Sequence, residues 1–493
     1  MARLDRFPIT APRRGAGAAA GALLVAALLA GCAVGPDYLR PDVAAPEKWR
    51  IEYAQAAEVA NAQWWQQFGD PVLDQLIDEA LRENRDVRIA AARVDQFLGA
   101  LATTRSQFYP QLGYGADATR GRASRVGQPP LAAGSDPYYN LYQGALGAQW
   151  QVDLFGRVRR QSEAAQAQVY ASEQGRRGVV LSVVSSVAAS YIGLRALDRQ
   201  LEIARATAGN YAKTQKIFDL RFKGGVVSQV EVTQVESQYQ QALAAIPNLE
   251  QQVAAQENLI SVLLGRNPGP IPRGKTIDAL AAPAIPGGLP STLLERRPDV
   301  LQAEQNLVAA NASIGIAQSL YFPTLSLTGV LGSVSTAFGD FLTGPAAAWS
   351  VAAGLAGPVF TFGGIEGQVS SAEASQREAL AFYQLTVLGA FRETNDALVG
   401  SVKKREEAEA QVRRVAALRE YARLSRLKFD NGYASYLEVL YAENELFGAE
   451  LTAVRAQAER QVQLVDVYRA FGGGWVDEAA KRAPQPLLSQ SRE

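Results

Sequence analysis

Along most of the chain apolar residues recur every three or four positions, and in four short stretches they alternate instead. The first regime predicts amphipathic helices and the second strands. The first clear helix opens at Asp70-Pro71, an N-cap followed by proline at the first helical position, and continues through Leu73, Leu76, Ile77, Ala80 and Leu81. A second covers 84–108, with Val87, Ile89, Ala90, Val94 and Leu98, until Pro110 breaks it. Then Leu112, Tyr114, Ala116 and Ala118 share one face while Gln111, Gly113, Gly115, Asp117 and Thr119 share the other. Beyond a Gly/Pro/Ser-rich loop at 121–137, residues 143–154 alternate again, with Leu146, Ala148, Trp150, Val152 and Leu154 opposed to Gln143, Gly147, Gln149, Gln151 and Asp153. Together these form a hairpin over about 111–155. Helical texture follows over 156–223 and 228–264, where Pro247 predicts a kink or break. Residues 265–296 hold six prolines, Pro268, Pro270, Pro272, Pro283, Pro286 and Pro290, and read as a linker.

The pattern then repeats. Pro298-Asp299-Val300 answers Arg85-Asp86-Val87, and Tyr321-Phe322-Pro323 answers Phe108-Tyr109-Pro110, both at an offset of 213 residues. Phe362-Gly363 answers Phe155-Gly156 at 207, the longer loop of the first half absorbing the difference. A shared offset across helix, strand and turn signifies duplication. The second half supplies a helix at 297–320 and a hairpin at about 324–360. Leu325, Leu327 and Leu331 share a face in one of its strands, and Trp349, Val351, Ala353 and Leu355 in the other. A helix over 365–430, about 100 Å long at 1.5 Å per residue, and a last one over 435–471 complete it. The chain therefore divides into a leader (1–31), a tether (32–83), a first repeat (84–264), a Pro-rich connection (265–296), a second repeat (297–471) and a tail (472–493).

Each pair of long helices turns around at a tip, and the two tips match at the same 207-residue offset. Arg221-Phe222-Lys223-Gly224-Gly225-Val226-Val227-Ser228-Gln229-Val230-Glu231-Val232 answers Lys428-Phe429-Asp430-Asn431-Gly432-Tyr433-Ala434-Ser435-Tyr436-Leu437-Glu438-Val439. Gly225 and Gly432 suit a left-handed helix end. Ser228 and Ser435, each with a glutamate three residues on, suit a capping box.

Alternating runs of about ten residues, apolar on one face and polar on the other, fit transmembrane β-strands. Four strands cannot close a barrel, and an open edge in lipid leaves backbone groups unsatisfied. Subunits must then share one barrel. The long helices carry charges throughout and exceed the ~30 Å hydrocarbon thickness several-fold, so they project into water. The expected fold is mainly α with transmembrane β: a duplicated long-helix α-barrel continuous with a β-barrel shared between subunits, four strands per chain.

Composition narrows the chemistry. The chain has no His, one Cys, one Met and zero formal net charge. No basic excess marks a nucleic-acid binder, no disulfide framework is possible, the lack of His and the single Cys argue against a zinc site, and no His-based triad can be built. Gly269-Pro270-Ile271-Pro272-Arg273-Gly274-Lys275-Thr276 matches the P-loop pattern, but its prolines lack the N–H groups that such a loop aims at phosphate. The mixed run Lys403-Lys404-Arg405-Glu406-Glu407 reads as a solvated helix face. No cofactor is implied, and the chain is not read as an enzyme. At the start, Arg3, Arg6, Arg13 and Arg14 precede a small apolar run ending Leu29-Ala30-Gly31-Cys32, the form of a signal peptide. That ending also resembles the bacterial lipobox, which implies cleavage before Cys32, covalent lipid on Cys32 and, with Ala33 following, the outer membrane.

From Cys32 to Trp475 the chain resembles the lipoprotein branch of the TolC/OprM family of outer-membrane efflux channels. The marks are Cys32 with Gly35-Pro36-Asp37-Tyr38, Trp64-Trp65 with Phe68-Gly69-Asp70-Pro71, Phe108-Tyr109-Pro110, Asp153-Leu154-Phe155-Gly156, Arg296-Arg297-Pro298-Asp299, Tyr321-Phe322-Pro323, and Tyr468-Arg469-Ala470 with Gly472-Gly473-Gly474-Trp475. The resemblance implies a homotrimer with twelve barrel strands, outer-membrane lipid around it, a periplasmic α-barrel, and a mixed equatorial region to which the tether, connection and tail belong. It also implies a periplasmic adaptor docking at the tips and an inner-membrane pump of the resistance–nodulation–division class. Docking maps to Gly225, Val226, Val227 and Ser228, and to Gly432, Tyr433, Ala434 and Ser435. The gate maps to Leu437 and Tyr441, one turn apart, with Val230 and Gln234 as first-repeat counterparts and Glu438 nearby. Some relatives carry Asp where this chain has Tyr441. The implied function is the passive exit duct of a drug or small-molecule efflux pump. A secretion duct fed by an ABC exporter and a pore-less lipid-anchored coiled-coil scaffold are the alternatives. The near absence of Met and His weighs against a copper or silver conduit.

Overall fold

The computed structural model describes residues 33–46, 48–51, 63–127, 131–132, 134–285, 290 and 293–490; the leader and Cys32 lie outside the described residues. The main elements are α1 (Pro71–Glu83), α2 (Arg85–Ser106), β1 (Gln111–Arg122), β2 (Tyr138–Val152), α3 (Arg157–Lys223), α4 (Gln229–Leu263), α5 (Pro298–Gln318), β3 (Thr324–Ser335), β4 (Ala347–Ala356), α6 (Gly364–Asp430), α7 (Tyr436–Phe471) and α8 (Trp475–Arg482). Both α3 and α6 have 67 residues. Pro247 does not break α4, which runs through it uninterrupted. The first hairpin is longer than its composition suggests. Gly121 and Arg122, inside what reads as loop, pair with Tyr139 and Tyr138, because cross-strand pairing outweighs the turn-like Gly content.

The chain forms two compact units, each drawn from both halves of the sequence. One comprises the described residues of 33–40, Phe97–Val169 and Asn306–Leu380; the other comprises the described residues of Pro41–Gln96, Tyr170–Gln305 and 381–490.

The first unit holds an antiparallel sheet in the order β1-β2-β3-β4. Its registers obey the duplication. Leu112 faces Ala148, and their counterparts Leu325 and Leu355 face each other. Between the hairpins Leu146 faces Leu331 and Val152 faces Leu325. These registers put all the alternating apolar residues on one face, where Leu112, Tyr114, Leu146, Leu331, Trp349, Val351 and Leu355 are 62% to 90% exposed. An apolar face of this extent left bare is the mark of a membrane or protein contact. Below the sheet, Trp150 donates from Nε1 to the Phe108 carbonyl at 3.0 Å. Asp153 accepts from the backbone of Val158 and Arg159, both at 3.0 Å, and so caps the start of α3. Phe155 stacks on Phe322 at 4.7 Å. The extended segment after residue 32 is clamped here. Arg160, itself buried, donates to Val34 O, Gly35 O and Asp37 Oδ1 at 3.1, 3.0 and 2.8 Å. Gly35 has φ +100°, and a Cβ there would lie 2.3 Å from the Gly315 Cα, so only glycine passes.

The second unit is helical around an aromatic core. Trp64 stacks on Tyr468 at 5.1 Å and meets Trp65, Phe68 and Trp475 edge-on at 5.8, 6.2 and 5.9 Å. The aromatics before α1 are thus core packing. Asp70 caps α1, accepting from Val72 N at 3.0 Å. Its other oxygen accepts from Tyr191 Oη and Lys275 N, both at 2.8 Å. The P-loop-like segment is therefore a strap around a buried carboxylate, with Ile271 and Ile277 set in the core. Arg297 of the Arg-Arg-Pro-Asp motif is buried and donates to Asp299, Glu393 and Ala470 O. Among the described residues one helix, α3, is long and apolar enough to cross a membrane. Its Val180, Val183, Val184, Val187, Tyr191 and Ile192 instead belong to this core, which accounts for their hydrophobicity.

Candidate functional site

Both tips lie in the second unit and share a small core. Helix α3 ends in a Schellman motif: Gly225 N donates to Phe222 O at 2.9 Å and Val226 N to Arg221 O at 2.8 Å. Helix α6 ends identically, with Gly432 N to Phe429 O at 3.0 Å and Tyr433 N to Lys428 O at 2.8 Å. The φ values of +73° and +76° at the two glycines are the left-handed caps that this motif requires. The tips then differ. Ser228 and Glu231 form the full reciprocal capping box. Ser435 makes no side-chain cap. Its expected partner Glu438 turns back toward α6 and accepts from Lys428 Nζ and Ser425 Oγ, both at 3.4 Å. The second capping box is absent because the carboxylate finds a cation across the helix pair.

Aromatics join the tips. Phe218, Phe429 and Tyr436 form a triangle with centroids 4.2, 5.0 and 6.3 Å apart. Arg221 lies over Phe218 and Phe429 at 5.9 and 5.6 Å, which adds a cation–π attraction. Ala208, Tyr211, Val235, Ala242, Val439 and Leu440 complete the buried part of this core, with Val227 half-buried against it. The turn residues are otherwise open: Val226 and Tyr433 are exposed, and nothing surrounds Gly225 or Gly432. Ala434 is half-buried, and Ser228 and Ser435 are exposed. Leu437 and Tyr441 are 57% and 60% exposed, on the side of α7 away from the buried Tyr436, Val439 and Leu440. Val230 is likewise exposed, and Gln234 is half-buried.

Behind the tip the structure adds residues that the motif does not mark. A cavity of about 510 Å³ is lined by Tyr211, Arg426, Glu443 and Phe447 among others. Burial pushes the Glu443 carboxyl above its ordinary range, against the opposing pull of Arg426, whose Nη1 lies 3.6 Å from it. Burial, then the nearby Glu443, pushes the Tyr211 hydroxyl up as well, and that hydroxyl has no hydrogen-bond partner. The only sequence signal for Glu443 is an acid set between the buried Ala442 and Phe447 of α7. The described residues hold no cluster suited to a metal.

Comparison with known proteins places this geometry. Residues 76–266 and 289–473 match the sequence profile of the family described as outer membrane efflux protein. The cation efflux system protein CusC of Escherichia coli O6:H1 is 31% identical over 458 residues, which cover 92% of this chain and 97% of that protein. The toluene efflux pump outer membrane protein TtgC of Pseudomonas putida is 31% identical over 470 residues, covering 94% and 96%. The solved outer-membrane channel OprN is 29% identical and superposes with a TM-score of 0.81 over 90% of this chain and 100% of that one.

Proposed function

The chain belongs to the outer membrane efflux protein family, whose members are transport channels of the outer membrane and not enzymes, and on that premise we propose how it works. Three copies pair their sheets edge to edge into one twelve-stranded barrel. The bare apolar face across all four strands, bounded by the unpaired edges of β1 and β4, carries this reading. Lipid-exposed strands must close on themselves. The long helices form the periplasmic duct. Cys32 carries the lipid anchor, and the Arg160 clamp seats the segment that follows it.

The duct conducts passively. Leu437 and Tyr441 line the closed tip, with Val230 and Gln234 beside them, while Glu438 staples α7 to α6. An adaptor docks on the open turns at Gly225–Ser228 and Gly432–Ser435 and couples the duct to a proton-driven inner-membrane pump. The cargo is drugs or other small organic molecules. CusC is named for cations and TtgC for toluene; a chain with no His and one Met offers few soft-metal ligands. The test is photocrosslinking from Val227 in living cells, with the captured protein identified by mass. Capture of an adaptor of a drug pump is the expected result. Capture of an ABC-exporter adaptor would move the chain to protein secretion, and no capture from Val227 or Ala434 would overturn tip docking.

A further inference from the structure

The apolar face of the sheet carries two charges among its described residues, and both stand at one end. The register that aligns Leu112, Tyr114, Ala116 and Ala118 also puts Arg120 and Arg122 on that face, opposite Asn140 and Tyr138. No acid shares the face on any of the four strands. At about 3.4 Å per residue and a tilt of about 40°, Arg120 and Arg122 stand about 21 and 26 Å above Leu112. An outward apolar band is about 25 Å tall, so both guanidiniums reach its upper boundary, at the end remote from α2. Buried at mid-depth an arginine is costly; at the boundary it costs almost nothing and meets lipid headgroups.

Neither side chain is neutralised, and that of Arg122 is held. Arg122 lies over the Tyr138 ring at 5.7 Å. On the opposite face Tyr139 covers Gly121, where a Cβ would come within 2.6 Å of the ring, which stiffens the same strand end. Arg125 follows in the connection, exposed. Arg120, Arg122 and Arg125 make no ion pair with any described residue. Several other arginines of the chain do have carboxylate partners: Arg159, Arg160, Arg176, Arg177, Arg195 and Arg199. Guanidinium is planar and matches phosphate oxygens two at a time.

We propose that Arg120 and Arg122 form a binding site for the phosphate groups of a phosphorylated outer-leaflet glycolipid, with the acyl chains lying on the apolar face below. The site rests on the membrane-spanning reading of the sheet. Full-length protein in detergent is incubated with lipid A, or with lipid A stripped of phosphate, and retained lipid is counted by native mass spectrometry. Wild type should retain lipid A and not the stripped form. Each arginine near an anionic lipid surface is worth about fivefold in association, so R120Q/R122Q should lower retention about 25-fold, and R120K/R122K should keep most of it. Millimolar inorganic phosphate should not displace the lipid. Equal retention of the stripped lipid by wild type overturns the proposal without any variant. Equal retention by R120Q/R122Q overturns it too, and displacement by free phosphate would make this a site for a soluble anion. Single-channel conductance is recorded alongside. A conducting wild type that ignores phosphate sinks the lipid site alone, whereas a wild type that never conducts sinks the channel reading.

Discussion

The duplication specifies a contact between subunits to the residue. Each hairpin repeats the other's register, so the junction between hairpins should repeat as well. Within the chain Ala148 faces Gly329 and Val152 faces Leu325. Moving the β2 partners on by 207 and the β3 partners back by 213 gives the contact at the free edges: Leu355 faces Ala116 of the partner subunit, Ala353 faces its Ala118, and Trp349 faces its Arg122. Parity supports this. Ala116 and Ala118 share the exposed face with Leu355, Ala353 and Trp349, whereas a slip of one residue would oppose apolar to polar along the whole edge. Directly opposed residues have Cα atoms about 4.5–5.5 Å apart, and diagonal neighbours stand at about 7–8 Å. A disulfide spans at most about 6.8 Å. With Cys32 the sole cysteine, the double variant Ala116→Cys/Leu355→Cys should oxidise into a dimer-and-trimer ladder on denaturing gels. Ala116→Cys/Ala353→Cys should give less than about a tenth as much, its pair being diagonal. Ala148→Cys/Gly329→Cys, a pair already seen within the chain, is the positive control. Stronger cross-linking through Ala353 would refute the register, and no ladder from either edge pair, with the control pair oxidised within its chain, would refute the shared barrel.

Other consequences are local. Replacing both Leu437 and Tyr441 by alanine should raise single-channel conductance; unchanged conductance would put the constriction elsewhere. Trp64→Ala removes a side chain touching Trp65, Phe68, Tyr468 and Trp475 and should cost about 3–5 kcal/mol, read by denaturant unfolding in detergent; a loss below about 1 kcal/mol would show that the cluster is not a core. Glu443 holds its proton more tightly folded than unfolded, because burial raises its pKa above the ordinary 4.5. Its stabilising effect is therefore present below that value and is lost as pH rises through the folded value. Glu443→Gln should raise the melting temperature at pH 7.5 more than at pH 5, and equal shifts at both would contradict the sign.

Much of this was legible in the sequence, for particular reasons. Period and offset located all four strands and both tips, because alternation and glycine caps are local devices. The motif residues Trp64, Asp70, Asp153, Arg297 and Trp475 stood out, and all prove to be packing or capping groups, which explains why chemistry could not be read from them. What stayed hidden depends on distant partners. The strap role of Lys275 needs Asp70. The reach of Arg160 needs the segment at Val34–Asp37. The true end of β1 needs its pairing with Tyr138, which overrode a Gly-rich stretch. Pro247 within an unbroken α4 is of the same kind: helix continuity there is set by packing, with Leu249 buried two residues on.

The unequal capping of two equivalent tips bears on which one moves. In the first tip Ser228 and Glu231 satisfy each other's backbone N–H groups within one turn, so that turn holds itself. In the second, Ser435 caps nothing and Glu438 reaches to α6, so the start of α7 depends on its neighbour. A lost serine cap costs a helix about 1 kcal/mol, or about fivefold in local opening. Amide hydrogen exchange should therefore be about fivefold faster at Leu437–Val439 than at Val230–Val232, the same positions in the two repeats. Lys428→Ala should narrow the gap, because it frees Glu438 to close the box with Ser435. Equal protection at both tips would mean that the adjoining aromatic triangle, and not the cap, sets their stability. An exposed pair such as Leu437 and Tyr441 can change place only if its own helix end yields, and the second tip is the one whose first turn is left without its cap.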